Sequence, residues 1–289
     1  MDIVKISDGL GNQMFQYAFA RKLQIETRRT VYLDTRFINN EDLIVRKEND
    51  YYMDKNCFRR YGLNNFKIRL SVAGENCLNN WKYLDNRGIF PKRIFTMAKS
   101  GLWPFGYCDE DVNGVKIDTH LPMYYKGYFF DLKYYDSIKE VLKKEFVLKN
   151  KLHLSAELGK ILKNDNTVSI HIRRGDFIKL NRDISQKGYY PKALMLIEEK
   201  IENPIYLIFS DDMEWVKNNL EVRNKAIYIS DMGFEDYQEM MIMKHCKHNI
   251  IANSTFSYWA AYLNPNPNKK VICPKNWKSS IIPEEWIKI

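Results

Sequence analysis

Thr167-Val168-Ser169-Ile170-His171-Ile172-Arg173-Arg174-Gly175-Asp176 decides the fold. Its start alternates as a strand, with Val168, Ile170 and Ile172 on one face, and His171 and Arg173 on the other at the carboxyl end. Downstream the pattern predicts a helix over Tyr190–Ile201, with Pro191 suited to its first turn. Strands over 205–209, 226–229, 249–252 and 270–273 then alternate with helices over 213–220, 236–246 and 256–263. The last helix carries Phe256, Trp259, Ala260 and Leu263 on one face. Strands separated by helices of about ten residues mean crossover connections and a parallel sheet. Ligands of open parallel sheets bind outside the carboxyl ends of the strands, so chemistry is sought in the residues just after each strand.

The N-terminus reads as a β-α-β unit. Asp2–Ile6 is a predicted strand, Ser7–Asn12 a glycine-containing turn, and Phe15, Ala18, Phe19 and Leu23 mark a helix before a second strand at Val31–Asp34. From about residue 39 to 150 the periodicity weakens. Within it, Leu132, Tyr135, Ile138 and Leu142 predict one helix over Asp131–Phe146. The expected architecture is α/β with two halves, 1–150 irregular and 151–289 a regular Rossmann-like parallel sheet.

Composition narrows the class. A chain of 289 residues with 45% hydrophobic content is long and apolar enough for one or two folded domains. A formal net charge of +9 suggests an anionic partner, and nucleic acid, a phospholipid surface and a phosphorylated small molecule all fit it. No stretch is long and apolar enough for a membrane span, and Met1–Phe19 lacks the layout of a secretory signal. A cytoplasmic setting is therefore expected. Cys57, Cys77, Cys108, Cys246 and Cys273 are scattered and odd in number with no Cys-x-x-Cys, so neither a zinc site nor a disulfide framework is indicated.

Four stretches could carry chemistry. Gly9 and Gly11, in Asp8-Gly9-Leu10-Gly11-Asn12-Gln13, let a backbone approach a ligand at a helix start; a tight turn capped by Asn12 reads equally well. Arg173 and Arg174, beside His171, need an anion at a buried strand end; the alternative is an Arg173–Asp176 ion pair with a core histidine. Asp211 and Asp212 follow the 205–209 strand, where one carboxylate caps the next helix and another could accept the N–H donors of a guanine. Asn253, Ser254 and Thr255 open the last helix, where hydroxyls and an amide make an anion-binding corner as well as a cap. The adjacent Asp211 and Asp212 do not form an Asp-x-Asp, and no metal or other cofactor is expected. His245 and His248 read as structural.

Taken together and in order, these stretches resemble a known family. Gly9-Leu10-Gly11-Asn12-Gln13-Met14-Phe15-Gln16-Tyr17-Ala18 is similar to the opening signature of glycosyltransferase family 11. His171-Ile172-Arg173-Arg174-Gly175-Asp176 resembles the His-x-Arg-Arg-x-Asp motif of α-1,2- and α-1,6-fucosyltransferases. Phe209–Asp212 and Cys246–Ala261 resemble the later motifs, while 40–120 matches loosely.

The resemblance implies a GT-B fold, two Rossmann-like domains facing a cleft, with the acceptor on the N-terminal side and the nucleotide sugar on the C-terminal side. It implies GDP-β-L-fucose as donor, a galactose-terminated oligosaccharide or lipid-linked glycan as acceptor, an α-1,2 product formed with inversion, and no metal. By similarity Arg173 would hold the β-phosphate with Arg174 in support, His171 and Asp211 would orient the nucleotide, and Ser254 and Thr255 would meet the diphosphate or ribose. Asn12 would reach toward the sugar or phosphate bridge, and Asp176, Asp8 and Asp183 are the candidate bases. An α-1,6 or α-1,3 linkage or another donor sugar is the nearest rival. A basic nucleic-acid-binding protein is a more distant one, and no recognised nucleic-acid-binding motif supports it. The positive surplus would also suit peripheral contact with an anionic membrane face.

Overall fold

The computed structural model describes residues 1–38, 60–79, 106–117 and 120–289. They form two compact units, Met1–Val147 and Leu148–Ile289.

The first unit holds a parallel sheet in the order β2-β1-β4-β3, from β1 (Asp2–Lys5), β2 (Val31–Asp34), β3 (Gly106–Asp109) and β4 (Met123–Lys126). The helix Leu10–Thr27 links β1 to β2 and buries Met14, Phe15, Tyr17, Ala18, Phe19 and Leu23. Phe19 stacks on Phe129 with ring centroids 3.8 Å apart. Two expectations change here. The helix starts at Leu10, so Gly11 and Asn12 lie in its first turn; Gly9 holds the cap position without a side-chain bond. The single helix expected over Asp131–Phe146 is broken into 3-10 turns at Leu132–Tyr134 and Asp136–Ile138, and only Lys139–Glu145 is α-helical. Tyr135 sits at φ −154°, ψ −15° between the turns. Its ring is fully buried edge-on against Phe15 at 5.4 Å, and that burial outweighs continuing the helix.

The second unit is a six-stranded parallel sheet in the order β10-β9-β8-β5-β6-β7. Its strands are β5 (Thr167–Ile172), β6 (Ile205–Ser210), β7 (Ala226–Tyr228), β8 (His248–Ile250), β9 (Val271–Cys273) and β10 (Ile287–Lys288). Every residue of β5 is buried, as a central strand covered on both faces requires. Val168, Ile170 and Ile172 pack with Tyr190, Ala193 and Ile197 of the helix Tyr189–Glu198. Asn249 donates to the Ser169 hydroxyl at 2.7 Å and accepts from Asn264 at 2.7 Å, so the polar atoms buried between β5 and β8 are paired. The predicted helices and strands of this half are present, with ends shifted by a few residues. The short helix Gly175–Lys179 and β10 were not foreseen.

Among the described residues no helix is long and apolar enough to cross a membrane. Cys77, Cys108, Cys246 and Cys273 are free thiols, and Cys57 lies outside the described residues. His245 bonds the Met241 carbonyl and His248 accepts from the Lys270 N–H, both within the fold.

Candidate active site

The chain runs from β5 outward to β6 and β7, then returns to β8 on the other flank of β5. That reversal puts a topological switch point at the carboxyl ends of β5 and β8, where open parallel sheets take their ligands. Three of the four stretches singled out in the sequence belong to this unit, two of them at those two strand ends.

The two arginines after β5 have different surroundings. Arg174 is 6% exposed. Its Nε meets Asp212 at 2.9 Å, its Nη1 meets Asp183 at 2.9 Å and the Ser185 hydroxyl at 2.6 Å, and Trp215 lies against its guanidinium at 3.9 Å. Through these contacts Arg174 braces the loop from within. Arg173 pairs with Asp176 at 2.6 Å and Asp211 at 2.9 Å, over the Phe177 ring, and keeps part of its side chain open to solvent. The Arg173–Asp176 ion pair read as an alternative is therefore present. It uses one N–H on each terminal nitrogen and leaves the rest of the fork for a further acceptor.

Asp211 joins the pair. One oxygen accepts the Arg174 backbone N–H at 2.8 Å while the other faces Arg173. Asp212 caps the helix Met213–Asn219 by accepting from the Trp215 N–H at 3.2 Å, as expected of one carboxylate in this pair.

His171 points the other way from the β5 core, toward Phe256 at 5.5 Å. Its Nδ1 is buried and takes no hydrogen bond among the described residues. Burial first, then the positive charge of Arg173, pushes the imidazole down to about 3, so it is neutral at physiological pH. Tyr190 fixes the strand end by donating to the His171 carbonyl at 2.9 Å. Beyond β8, Ser254 caps the helix Thr255–Tyr262 through the Phe256 N–H. Asn253 donates to the Arg182 carbonyl at 2.8 Å, and its buried Oδ1 is unbonded among the described residues. An unmatched buried polar atom costs about 1–3 kcal/mol, and two of them stand near the carboxyl ends of β5 and β8.

Sequence reasoning missed Glu239. It lies on the helix Asp236–His245, and burial raises its carboxyl to about 7 against a lowering bond from the Ser230 hydroxyl. Ser230 in turn accepts the Ser210 N–H at 3.1 Å, which ties Glu239 to the end of β6. Glutamate in a charged helix start carries no signal in one sequence. Asp183 and Ser185 were also missed as partners of Arg174, because their contact is set by the loop path. Among the described residues, no group of three His, Cys, Asp or Glu side chains is placed to hold a metal ion.

Gly9, Gly11 and Asn12 lie in the other unit, after β1. The left-handed backbone of this turn falls on Asp8, at φ 65°, and Gly9 is extended. The two glutamines of the stretch hold the turn. Gln13 donates to the Asp8 and Arg60 carbonyls and accepts the Gly62 N–H. Gln16 accepts the Ser7 N–H and donates to the Gly127 carbonyl.

Fold and relatives define the class as a glycosyltransferase of GT-B type. The crystal structure of fucosyltransferase NodZ from Bradyrhizobium superposes with a TM-score of 0.52 over 89% of this chain and 91% of that one, at 12% identity, a likeness of fold. The O-antigen biosynthesis glycosyltransferase WbnK of Escherichia coli is 30% identical over 305 aligned positions, 98% of this chain and 99% of that protein. An alpha-1,2-colitosyltransferase of Escherichia coli is 27% identical over 303 positions, 99% of this chain and 98% of that protein. The family model of glycosyl transferase family 11 matches residues 105–288, and the chain belongs to that family.

Proposed function

We propose that this protein transfers L-fucose from GDP-β-L-fucose to a galactoside hydroxyl, forming an α-1,2 linkage with inversion and without a metal. The observation that carries the reading is the open fork of Arg173 beside the unmatched His171 Nδ1, at the switch point of a family 11 chain. In this reading Arg173 holds the β-phosphate, and Asp211 and Arg174 keep its guanidinium in place. His171 offers a neutral ring nitrogen to the nucleotide, and Asn253, Ser254 and Thr255 meet the diphosphate or ribose. Gly9, Gly11 and Asn12 serve the sugar end of the donor.

The acceptor hydroxyl oxygen bonds to C1 of fucose from the opposite face, and the hydroxyl proton passes to a carboxylate, for which Asp176, Asp8 and Asp183 are the candidates. As that bond forms, the bond between C1 and the phosphate oxygen breaks, and its electron pair leaves with GDP. Fixed guanidinium and helix N–H donors aimed at that charge supply the stabilisation that a metal gives other transferases. The acceptor is a galactose-terminated oligosaccharide or lipid-linked glycan. For the lipid-linked case the net charge of +9 supports peripheral contact at the inner face of a bacterial membrane. Flotation with anionic vesicles that is lost at high salt is the expected result there.

The test uses chelator-treated protein with GDP-fucose and a β-galactoside. GDP release and an α-1,2 product are expected, and Arg173→Ala should lose at least a hundredfold in turnover with its fold intact. No GDP binding and no turnover would end the reading. The full-length likeness to a colitosyltransferase supports a second donor sugar, colitose, and side-by-side rates with nucleotide-activated fucose and colitose decide between them.

A further inference from the structure

The N-terminal sheet has its own reversal. In the order β2-β1-β4-β3, the chain leaves β1 for β2 on one flank, and β4 lies against β1 on the other. The carboxyl ends of β1 and β4 therefore make a second switch point, within this unit alone. Asp8 follows β1 there, and Tyr128 follows β4.

Asp8 is held in an uncommon state. Its φ of 65° places a non-glycine residue in the left-handed region, at a cost the surroundings must sustain. They do so through buried side chains. Gln13, fully buried, clasps the Asp8 carbonyl at 2.7 Å, and Gln16 holds the Ser7 N–H at 2.9 Å. The side chain is aimed as well: Tyr128 donates its hydroxyl to Asp8 Oδ2 at 2.6 Å, and the Ser7 hydroxyl adds a longer bond at 3.3 Å to the same oxygen. Asp8 Oδ1 takes no hydrogen bond among the described residues. Beside it the Tyr128 ring stacks on Phe130, with centroids 5.1 Å apart and planes within 2°. Both rings are half-buried, so each keeps some surface open.

A strained carboxylate with one oxygen tied and one open, next to a partly open aromatic pair, matches a pyranoside. Sugar C–H faces lie on aromatic rings, and sugar hydroxyls donate to carboxylates. We propose that Asp8, Tyr128 and Phe130 form the acceptor subsite, with Asp8 Oδ1 receiving a hydroxyl of the terminal acceptor sugar. The assignment rests on the transferase reading above and adds to it the residues that select the acceptor.

The experiment compares wild type, Asp8→Asn and Tyr128→Phe by acceptor KM, donor KM and GDP affinity. Saturation-transfer NMR with methyl β-D-galactoside and N-acetyllactosamine, run without nucleotide, accompanies the kinetics. Asp8→Asn is expected to raise acceptor KM at least tenfold and to weaken the glycoside signal, with donor KM and GDP affinity unchanged. Tyr128→Phe, which frees the carboxylate to turn, should give a smaller rise in the same constant. Asp8→Gly accepts the backbone without strain, so it should keep or raise the melting temperature while losing acceptor affinity like Asp8→Asn. An unchanged acceptor KM in Asp8→Asn overturns the subsite, as does an equal loss of donor and acceptor affinity. Absence of turnover with GDP-fucose counts against the donor reading alone, because glycoside binding is measured without nucleotide.

Discussion

Gly175 and Asp211 fit only because Gly175 has no side chain. A Cβ at Gly175 would stand 2.5 Å from Asp211 Oδ2, the oxygen that pairs with Arg173. The glycine between Arg174 and Asp176 is thus a space reserved for a carboxylate brought from β6. Gly175→Ala is expected to displace Asp211, loosen Arg173 and cut turnover by on the order of tenfold or more, since fixed electrostatic groups lose effect when misplaced. The melting temperature should fall only modestly, because Gly175 starts a short helix at an exposed position. Steady-state rates beside a thermal melt check this, and a wild-type rate would show that Asp211 does not set the arginine.

Arg174 should matter for folding more than for binding. It is buried, with Asp183 and Asp212 as partners and Trp215 on its face. Removing one member of a buried ion network leaves the others unmatched and costs about 3–5 kcal/mol. Arg174→Ala is expected to lose stability on that scale in urea unfolding. Arg174→Lys should lose a large part of it too, because a single ammonium cannot span both carboxylates and the ring. A mild change in unfolding with a large loss of GDP affinity would instead place Arg174 on the ligand.

Two titrations in the second unit oppose one another. His171 is pushed down to about 3 from an ordinary 6.5, so between those values the unfolded chain binds a proton that the folded one refuses. Its contribution is whole above about 6.5 and is lost as pH falls. Glu239 is raised to about 7 from an ordinary 4.5, so there the folded chain holds the extra proton. Its contribution is whole below about 4.5 and is lost as pH rises toward 7. Glu239→Gln is therefore expected to stabilise the protein at pH 8 and to do little at pH 4. His171→Gln should flatten the loss of stability on acidification. Urea midpoints across this range measure both, and a difference from wild type that ignores pH would contradict the burial argument.

The C-terminal half was legible because buried parallel strands and amphipathic helices alternate there, and each signal is local. β3 and β4 were not, since Gly-Tyr-Cys-Asp and Met-Tyr-Tyr-Lys are too short and too rich in tyrosine to alternate clearly. The break at Tyr135 was hidden because its place in the apolar stripe fits a helix, while its ring is claimed by Phe15 from far along the chain. At the candidate site, residue types and order pointed to Arg173, His171 and Asp211, which the fold brings together at the end of β5. The roles of Gly175, Asp183 and Ser185 depend on contacts made by folding, and one sequence does not encode such pairs visibly.

Gln13 offers the last test, because its amide pairs with main-chain groups from two separate stretches of the chain. Fully buried, it donates to the carbonyls of Asp8 and Arg60 at 2.7 and 2.8 Å and accepts the Gly62 N–H at 3.0 Å. Gln13→Met keeps the length and volume but leaves those main-chain groups without partners. Each unmatched buried group costs about 1–3 kcal/mol, less wherever water reaches it, so a loss on the order of 3 kcal/mol is expected. Because Gln13 also clasps the strained Asp8, the change should reach the turn after β1: acceptor KM should rise while GDP affinity stays at its wild-type value. Unfolding curves measure the first effect and initial rates the second. A stable variant with unchanged acceptor KM would mean that the turn holds its shape without Gln13, through Gln16 and Tyr128.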